Sequence, residues 1–194
     1  MNLVGIVHRA TGIPPEEAKK LVAISQVKKI DVGSCFIKEG EIPQKMAIVL
    51  SGLFRYLYID GEGYEYTKAF MPELSFLTSY SSMIKGEPSY YFIEAMEASE
   101  VLVFTFQEWK VLKNTGEIWK DLLIRMLERG YGAKEKRERD LLLLDAESRY
   151  RAFCNANPDL ESRVKQKDIA SYLGIKPESL SRIKKKLARL NIGQ

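Results

Sequence analysis

The stretch Gln166–Lys185, QKDIASYLGIKPESLSRIKK, decides how the rest of the chain is read. It has the texture of two short helices joined by a tight turn. Counting from Gln166, Ala170 is fifth, Gly174 ninth, Leu180 fifteenth and Ile183 eighteenth. A small fifth residue lets two helices approach closely, and a glycine at the ninth supplies the positive φ that a sharp turn requires. Ile169, Leu173, Ile175, Leu180, Ile183 and Leu187 make a shared apolar face. Pro177 suits the first position of the second helix, where a missing N–H costs nothing. That helix then carries Ser179, Ser181, Arg182, Lys184, Lys185 and Lys186, and a helix of this kind fits a DNA major groove. An ordinary hairpin with a solvated basic face would share the charge but not the four framework positions.

The charge distribution points the same way. The 194-residue chain carries a net charge of only +4, but residues 161–194 hold nine Lys or Arg against Glu161, Asp168 and Glu178, a net of +6. Residues 1–160 hold the other 21 basic and 23 acidic side chains, a net of −2. Counterion release from a phosphate backbone requires such a concentration of positive charge.

Working back from that unit, composition allows a real core, with 45% hydrophobic residues. No apolar run approaches the roughly 20 residues of a membrane span, and the first residues, MNLVGIVHRATGIPPEE, lack a signal peptide's apolar core. The expectation is a cytoplasmic protein with no membrane partner. Cys35 and Cys154 have no CxxC spacing and read as buried structural thiols. His8 is the single histidine, in a surface segment, so metal, haem and cupin-type enzyme chemistry lack their ligands. No Ser/His/Asp or Cys/His constellation and no phosphate-binding glycine loop is present, and the chain is expected not to be an enzyme.

Residues 14–25 predict a short helix opened by Pro-Pro and acidic residues. From Val27 to Phe106, segments rich in β-branched and aromatic residues alternate with glycine turns. Strands are expected near Lys28–Asp31, Cys35–Lys38, Lys45–Ser51, Leu53–Ile59, Tyr64–Phe70, Tyr90–Ala95 and Ser99–Phe106, with a hairpin at Asp60-Gly61-Glu62-Gly63. Many short strands at this spacing imply an antiparallel barrel or roll. Residues 74–88 break the pattern and read as a short helix and loop. Thr105-Phe106-Gln107-Glu108 is a capping box that starts a helix, and a long helix follows over Glu117–Leu144. Periodicity alone leaves that helix open as a dimer seam or as a connector packed on the barrel. Asp145-Ala146-Glu147 opens another helix through Tyr150 and Phe153.

A glycine-punctuated roll, a long helix and a C-terminal helix-turn-helix, in that order, resemble the Crp/Fnr family of bacterial transcription regulators. The resemblance rests on FIKEGEIPQKMAIVLSGLFRYLY, where Gly40 and Gly52 match the roll glycines, and on KQKDIASYLGIKPESLSRIKKKL. It implies an α+β fold: an antiparallel, cyclic-nucleotide-binding-like β-roll of the jelly-roll type, a long dimerisation helix and a winged helix-turn-helix. The corresponding divisions are 1–114, 115–144 and 145–194. It implies a homodimer on near-palindromic double-stranded DNA, and, for activation, a surface touching RNA polymerase. The chain stops at Gln194 soon after Leu190-Asn191-Ile192, so the wing is expected to be truncated to one strand or absent.

By the resemblance, the effector pocket involves Glu73, Leu74, Ser89 and Tyr90, with Tyr80, Met83 and Phe92 as further lining or as core. The family's Gly-Glu and Arg-Ser pairs read here as Pro72-Glu73 and Pro88-Ser89. A cyclic phosphate is held by backbone N–H groups and a bidentate arginine. Proline has no N–H to donate, and no arginine is present, which argues against cyclic AMP or cyclic GMP. No cofactor is expected, and a different small-molecule effector stays open. At the DNA end, Glu178 and Arg182 occupy the family's base-contact positions, with Ser179 behind them. Lys165, Gln166, Lys176, Lys184, Lys185 and Lys186 are expected on phosphates. Lys176 replaces the family's Ser or Thr cap, and Pro177 removes another base contact. The alternative reading is a small-molecule sensor acting through protein partners rather than DNA.

Overall fold

A computed structural model describes residues 1–191. The chain divides into two compact units. The first comprises Met1–Tyr64 and Lys68–Glu128, and the second comprises Glu65–Thr67 with the chain from Arg129 onward.

The described strands are β1 (Gln26–Ile30), β2 (Cys35–Ile37), β3 (Lys45–Ser51), β4 (Phe54–Ile59), β5 (Glu65–Met71), β6 (Phe76–Leu77), β7 (Phe92–Ala95) and β8 (Ser99–Thr105), all in the first unit except the opening residues of β5. They form two four-stranded sheets, ordered β1-β8-β3-β6 and β2-β7-β4-β5. Strand period decides which side chains go where. In β3 and β8, Ala47, Val49, Val101 and Val103 join Phe36, Ile37, Phe54 and Ile93 in one apolar cluster. The alternate residues Met46, Ile48, Leu102 and Phe104 join a second cluster with Leu21, Trp109 and Trp119 of the helices. The first sheet is therefore covered by helices on its other face. The Asp60 carboxylate ties the hairpin at Asp60–Gly63 by accepting from the Glu62 and Tyr64 N–H groups, at 3.0 and 2.9 Å.

The helices of this unit are α1 (Leu3–Thr11), α2 (Pro15–Ala23), α3 (Tyr80–Lys85) and α4 (Phe106–Lys113). Both halves of the capping box are formed at Thr105 and Glu108. Helix α1 and strand β6 are elements that sequence reading missed. Asn2 caps α1 and Gly12 ends it at φ 72°, with Val7 and Ala10 buried. His8 stays exposed, and its Nδ1 donates to the Ile13 carbonyl at 2.6 Å. Strand β6 exists because the chain after Pro72 returns along β3: Leu74 N–H donates to Val49 O, and Val49 N–H to Ser75 O, both at 2.9 Å.

The long helix α5 runs over Glu117–Leu143. Its start belongs to the roll, where Trp119 and Leu122 are buried. Residues 127–136 are all exposed. The second unit holds α6 (Ala146–Ala156), α7 (Leu160–Arg163), α8 (Gln166–Leu173) and α9 (Pro177–Asn191). The backbone is helical at Leu190 and Asn191, not the start of a wing strand, and what was expected after Asn191 lies outside the described residues. Cys35 and Cys154 are free and only half-buried, which corrects the expectation of buried thiols. No helix is long and apolar enough to cross a membrane, among the described residues.

Candidate nucleic-acid interface

The pair α8–α9 forms as the spacing requires. Ala170 is fully buried between the helices, with Ile169, Leu173 and Leu180. Gly174 takes φ 67°, and the Ile175 N–H returns to the Ala170 carbonyl at 3.0 Å, closing α8. Two arginines close the same end from outside. Arg137 of α5 lies over the Tyr172 ring at 4.5 Å and donates to the Tyr172 carbonyl at 3.0 Å. Arg149 of α6 donates to the Leu173 carbonyl at 3.0 Å. The last carbonyls of α8 thus receive cationic donors, which favour a helix C-terminus.

Helix α9 opens on the Lys176 carbonyl, which accepts from Ser179 and Leu180 N–H at 3.0 and 3.2 Å. Leu180 is buried, and Ile183 and Leu187 are partly so. At about 100° per residue, the direction opposite Leu180–Leu187 carries Glu178, Arg182, Lys185 and Arg189. All four are exposed. Arg182, Lys185, Lys186 and Arg189 line a shallow groove along that face. Arg189 lies beyond the twenty-residue pattern, and sequence reading missed it.

The remaining expected DNA residues divide by what they touch. Lys165 and Lys176 are exposed. Gln166 is exposed, and its Nε2 reaches the Pro177 carbonyl at 3.4 Å. Ser179 is half-buried beside Glu178. Lys184 Nζ is 2.8 Å from Glu161 Oε1, and Lys186 Nζ is 2.7 Å from Glu147 Oε2. Glu161 also accepts from the Tyr150 hydroxyl. Lys184 first, and that hydroxyl second, hold the Glu161 carboxyl below the usual glutamate range.

The expected effector residues of the roll make the following contacts. Glu73 Oε1 accepts from the Gly52 N–H at 3.0 Å. Leu74 sits at φ 67° in the turn before β6, so no helix starts there; α3 begins at Tyr80. Ser89 is buried, bonded to Ser79 at 3.1 Å and to the Tyr91 carbonyl at 2.8 Å. Tyr90 is 65% exposed, Met83 is core, Tyr80 packs edge-on against Phe106, and Phe92 is half-buried in β7. Tyr56 and Tyr91 stack at 5.3 Å, and both hydroxyls bond to Thr78. Lys68 Nζ lies 4.1 Å from the Tyr91 ring centre. Burial pushes the Tyr56 and Tyr91 hydroxyls up in pKa. No group of three or more His, Cys, Asp or Glu placed to hold a metal exists among the described residues.

Solved structures share this architecture over most of the chain. The c-di-GMP-responsive global regulator CLP of Xanthomonas campestris superposes with a TM-score of 0.75 at 15% identity, covering 92% of this chain and 93% of that one. FixK2 from Bradyrhizobium japonicum gives 0.75 at 18% identity, with 87% of each chain covered. A protein from Eubacterium rectale assigned to the Crp/Fnr family of transcriptional regulators gives 0.70 at 14%, covering 91% and 84%. The chain has the Crp/Fnr fold. Neither a protein-family model nor a curated protein matches the sequence, so the likeness lies in structure. Within that fold, the roll, the long helix and the helix-turn-helix follow one another in the expected order.

Proposed function

We propose that this protein is a homodimeric, cytoplasmic, sequence-specific DNA-binding transcription regulator of the Crp/Fnr type, and not an enzyme. Its three working parts are the roll (1–114), the dimer helix (115–144) and the reader (145–194). The observation that carries the reading is the face of α9: Glu178, Arg182, Lys185 and Arg189 stand exposed in one row opposite the buried Leu180. Arg182 presents two donors to guanine O6 and N7, Glu178 accepts from cytosine N4, and the lysines hold phosphate. The fold shared with known regulators supports the same reading.

Binding to duplex DNA in salt steps tests it. The affinity should fall steeply with salt, Arg182→Ala should remove discrimination worth about 1–3 kcal/mol, and Lys185→Ala should weaken all sequences alike. A flat salt response would replace DNA with a protein partner.

The dimer part rests on α5. Ile124, Leu127 and Tyr131, spaced three and four apart, are 51%, 47% and 67% exposed in the single chain. That row suits the seam of a parallel helix pair. Sedimentation of Leu127→Glu should show a monomer; a mass equal to wild type would move the interface elsewhere.

Cyclic AMP and cyclic GMP are not the signal in this proposal. The Glu73 carboxylate is engaged with Gly52, Pro72 and Pro88 donate no N–H, Ser89 bonds Ser79 and the Tyr91 carbonyl, and Tyr56 stacks on Tyr91. Neither nucleotide should shift the melting temperature, and a clear upward shift with either would restore the site.

A further inference from the structure

The run Lys184-Lys185-Lys186 looks uniform in sequence, but the helix separates its members. At 3.6 residues per turn, Lys184 and Lys186 stand about 160° apart on opposite flanks of α9, with Lys185 between them on the outer face. Each flanking lysine meets a carboxylate from another helix of the same unit. Lys184 bonds Glu161 of α7 at 2.8 Å. Glu161 is itself fixed by the Tyr150 hydroxyl and by the Cys154 thiol at 3.6 Å, both from α6. Lys186 bonds Glu147 of α6 at 2.7 Å, and Glu147 also receives Arg151 at 3.0 Å. Arg182, Lys185 and Arg189 take no ion-pair partner among the described residues.

We propose that Glu161 and Glu147 are positioning residues for the recognition helix. They clamp α9 through Lys184 and Lys186, and leave Lys185, with Arg182 and Arg189, to meet the phosphate backbone. The inference rests on the DNA-reading proposal and redistributes its lysines. A lysine already neutralised by a carboxylate brings a net charge of zero to the duplex, so it displaces no counterion unless it first abandons its partner. Holding both flanks fixes the rotation of α9 about its own axis. That rotation decides whether Arg182 and Glu178 face base edges.

The test uses the full chain and two duplexes, one of arbitrary sequence and one selected from genomic fragments by the protein itself. On the arbitrary duplex, Lys185→Gln and Arg189→Gln should each reduce the slope of log affinity against log salt by about 0.9. Lys184→Gln and Lys186→Gln should leave that slope unchanged. Glu161→Gln should lower the melting temperature of the free protein and cut the affinity ratio between the two duplexes several-fold at unchanged slope. Lys184→Arg, which keeps the pair, should preserve both. An equal loss of slope from Lys184→Gln and Lys185→Gln overturns the division. So does a Glu161→Gln variant with wild-type melting and wild-type discrimination. Wild-type protein without salt-dependent binding overturns the DNA reading instead, and melting of Lys184→Gln and Glu161→Gln then judges the clamp without DNA.

Discussion

Around the chain reversal at Pro72–Ser75 of the roll, polar groups turn inward. Glu73 caps the Gly52 N–H, Ser89 meets Ser79, and Tyr56 and Tyr91 both bond Thr78. Along α9 of the second unit, polar groups turn outward, with Arg182, Lys185 and Arg189 exposed in a row. In the roll, Glu73 and Ser89 are engaged by Gly52 and Ser79, while Tyr90 stays exposed. The helix-turn-helix keeps its structural polar groups on the flanks and leaves one face unengaged. A binding surface is recognised by groups the fold does not use, and by that measure the two units differ.

The largest effect is expected at Trp119, where α5 enters the roll. Its side chain is fully buried and meets Trp109 edge-on at 6.2 Å between ring centres. Trp119→Ala should cost about 3–5 kcal/mol, read from the denaturant midpoint, by loss of transfer energy and an unfilled cavity. A loss below about 1 kcal/mol would mean that the roll collapses around the gap. Its interior would then be less committed than the Tyr56–Tyr91 packing indicates.

The same contrast explains what sequence made legible. The strands and the helix-turn-helix could be read because both depend on local rules: period two with glycine turns, and a small residue and a glycine at fixed spacing. Helix α1 was hidden because its capping Asn2 and closing Gly12 flank only nine residues, with a histidine and an arginine near the end. Strand β6 was hidden because two residues, Phe76 and Leu77, are made a strand by β3 and not by their own preferences. At the candidate site, the exposure of Glu178 and Arg182 on one face of α9 was legible from position in the motif. Arg189 was not, lying beyond it. The separate tasks of Lys184 and Lys186 were not either, because Glu161 and Glu147 lie 23 and 39 residues away in sequence.

Gly52 of the roll and Gly174 of the helix-turn-helix both take a positive φ at a turn. Gly52 has φ 96°, and a Cβ there would stand 2.9 Å from the Ser99 backbone Cα. Gly52→Ala therefore combines left-handed strain with a clash that only a shift of β8 relieves, and should cost about 2 kcal/mol or more. Gly174 has φ 67°, and its Cβ would meet only the Leu141 side chain at 3.3 Å, which can swing aside. Gly174→Ala should cost about 1 kcal/mol, the strain alone. Thermal melting of the two variants checks the order. Equal losses would show that the sheet yields at Ser99 as easily as a leucine does.

The smallest effect concerns acid, which bears on carboxylates of the second unit and on Glu108 of the roll, held low by its bonds to Thr105. Four carboxylates of the second unit are held below the ordinary values of 3.8 for Asp and 4.5 for Glu. Lys184 lowers Glu161, Lys186 lowers Glu147, the Ser148 N–H lowers Asp145, and Lys136 lowers Asp140. A carboxyl whose folded pKa is depressed adds stability above its unfolded pKa, and that stability is lost as the pH falls through the folded value. The second unit should therefore loosen below about pH 4.5, first in the pairs that hold α9. The groups are largely solvated, so each contribution is small and salt weakens it. Both tryptophans, Trp109 and Trp119, lie in the roll, so their emission reports the first unit alone. On acid titration the far-ultraviolet helix signal should begin to fall while tryptophan emission still holds. If both change together, acid acts on the roll as well, and the clamp carboxylates are not the weak point.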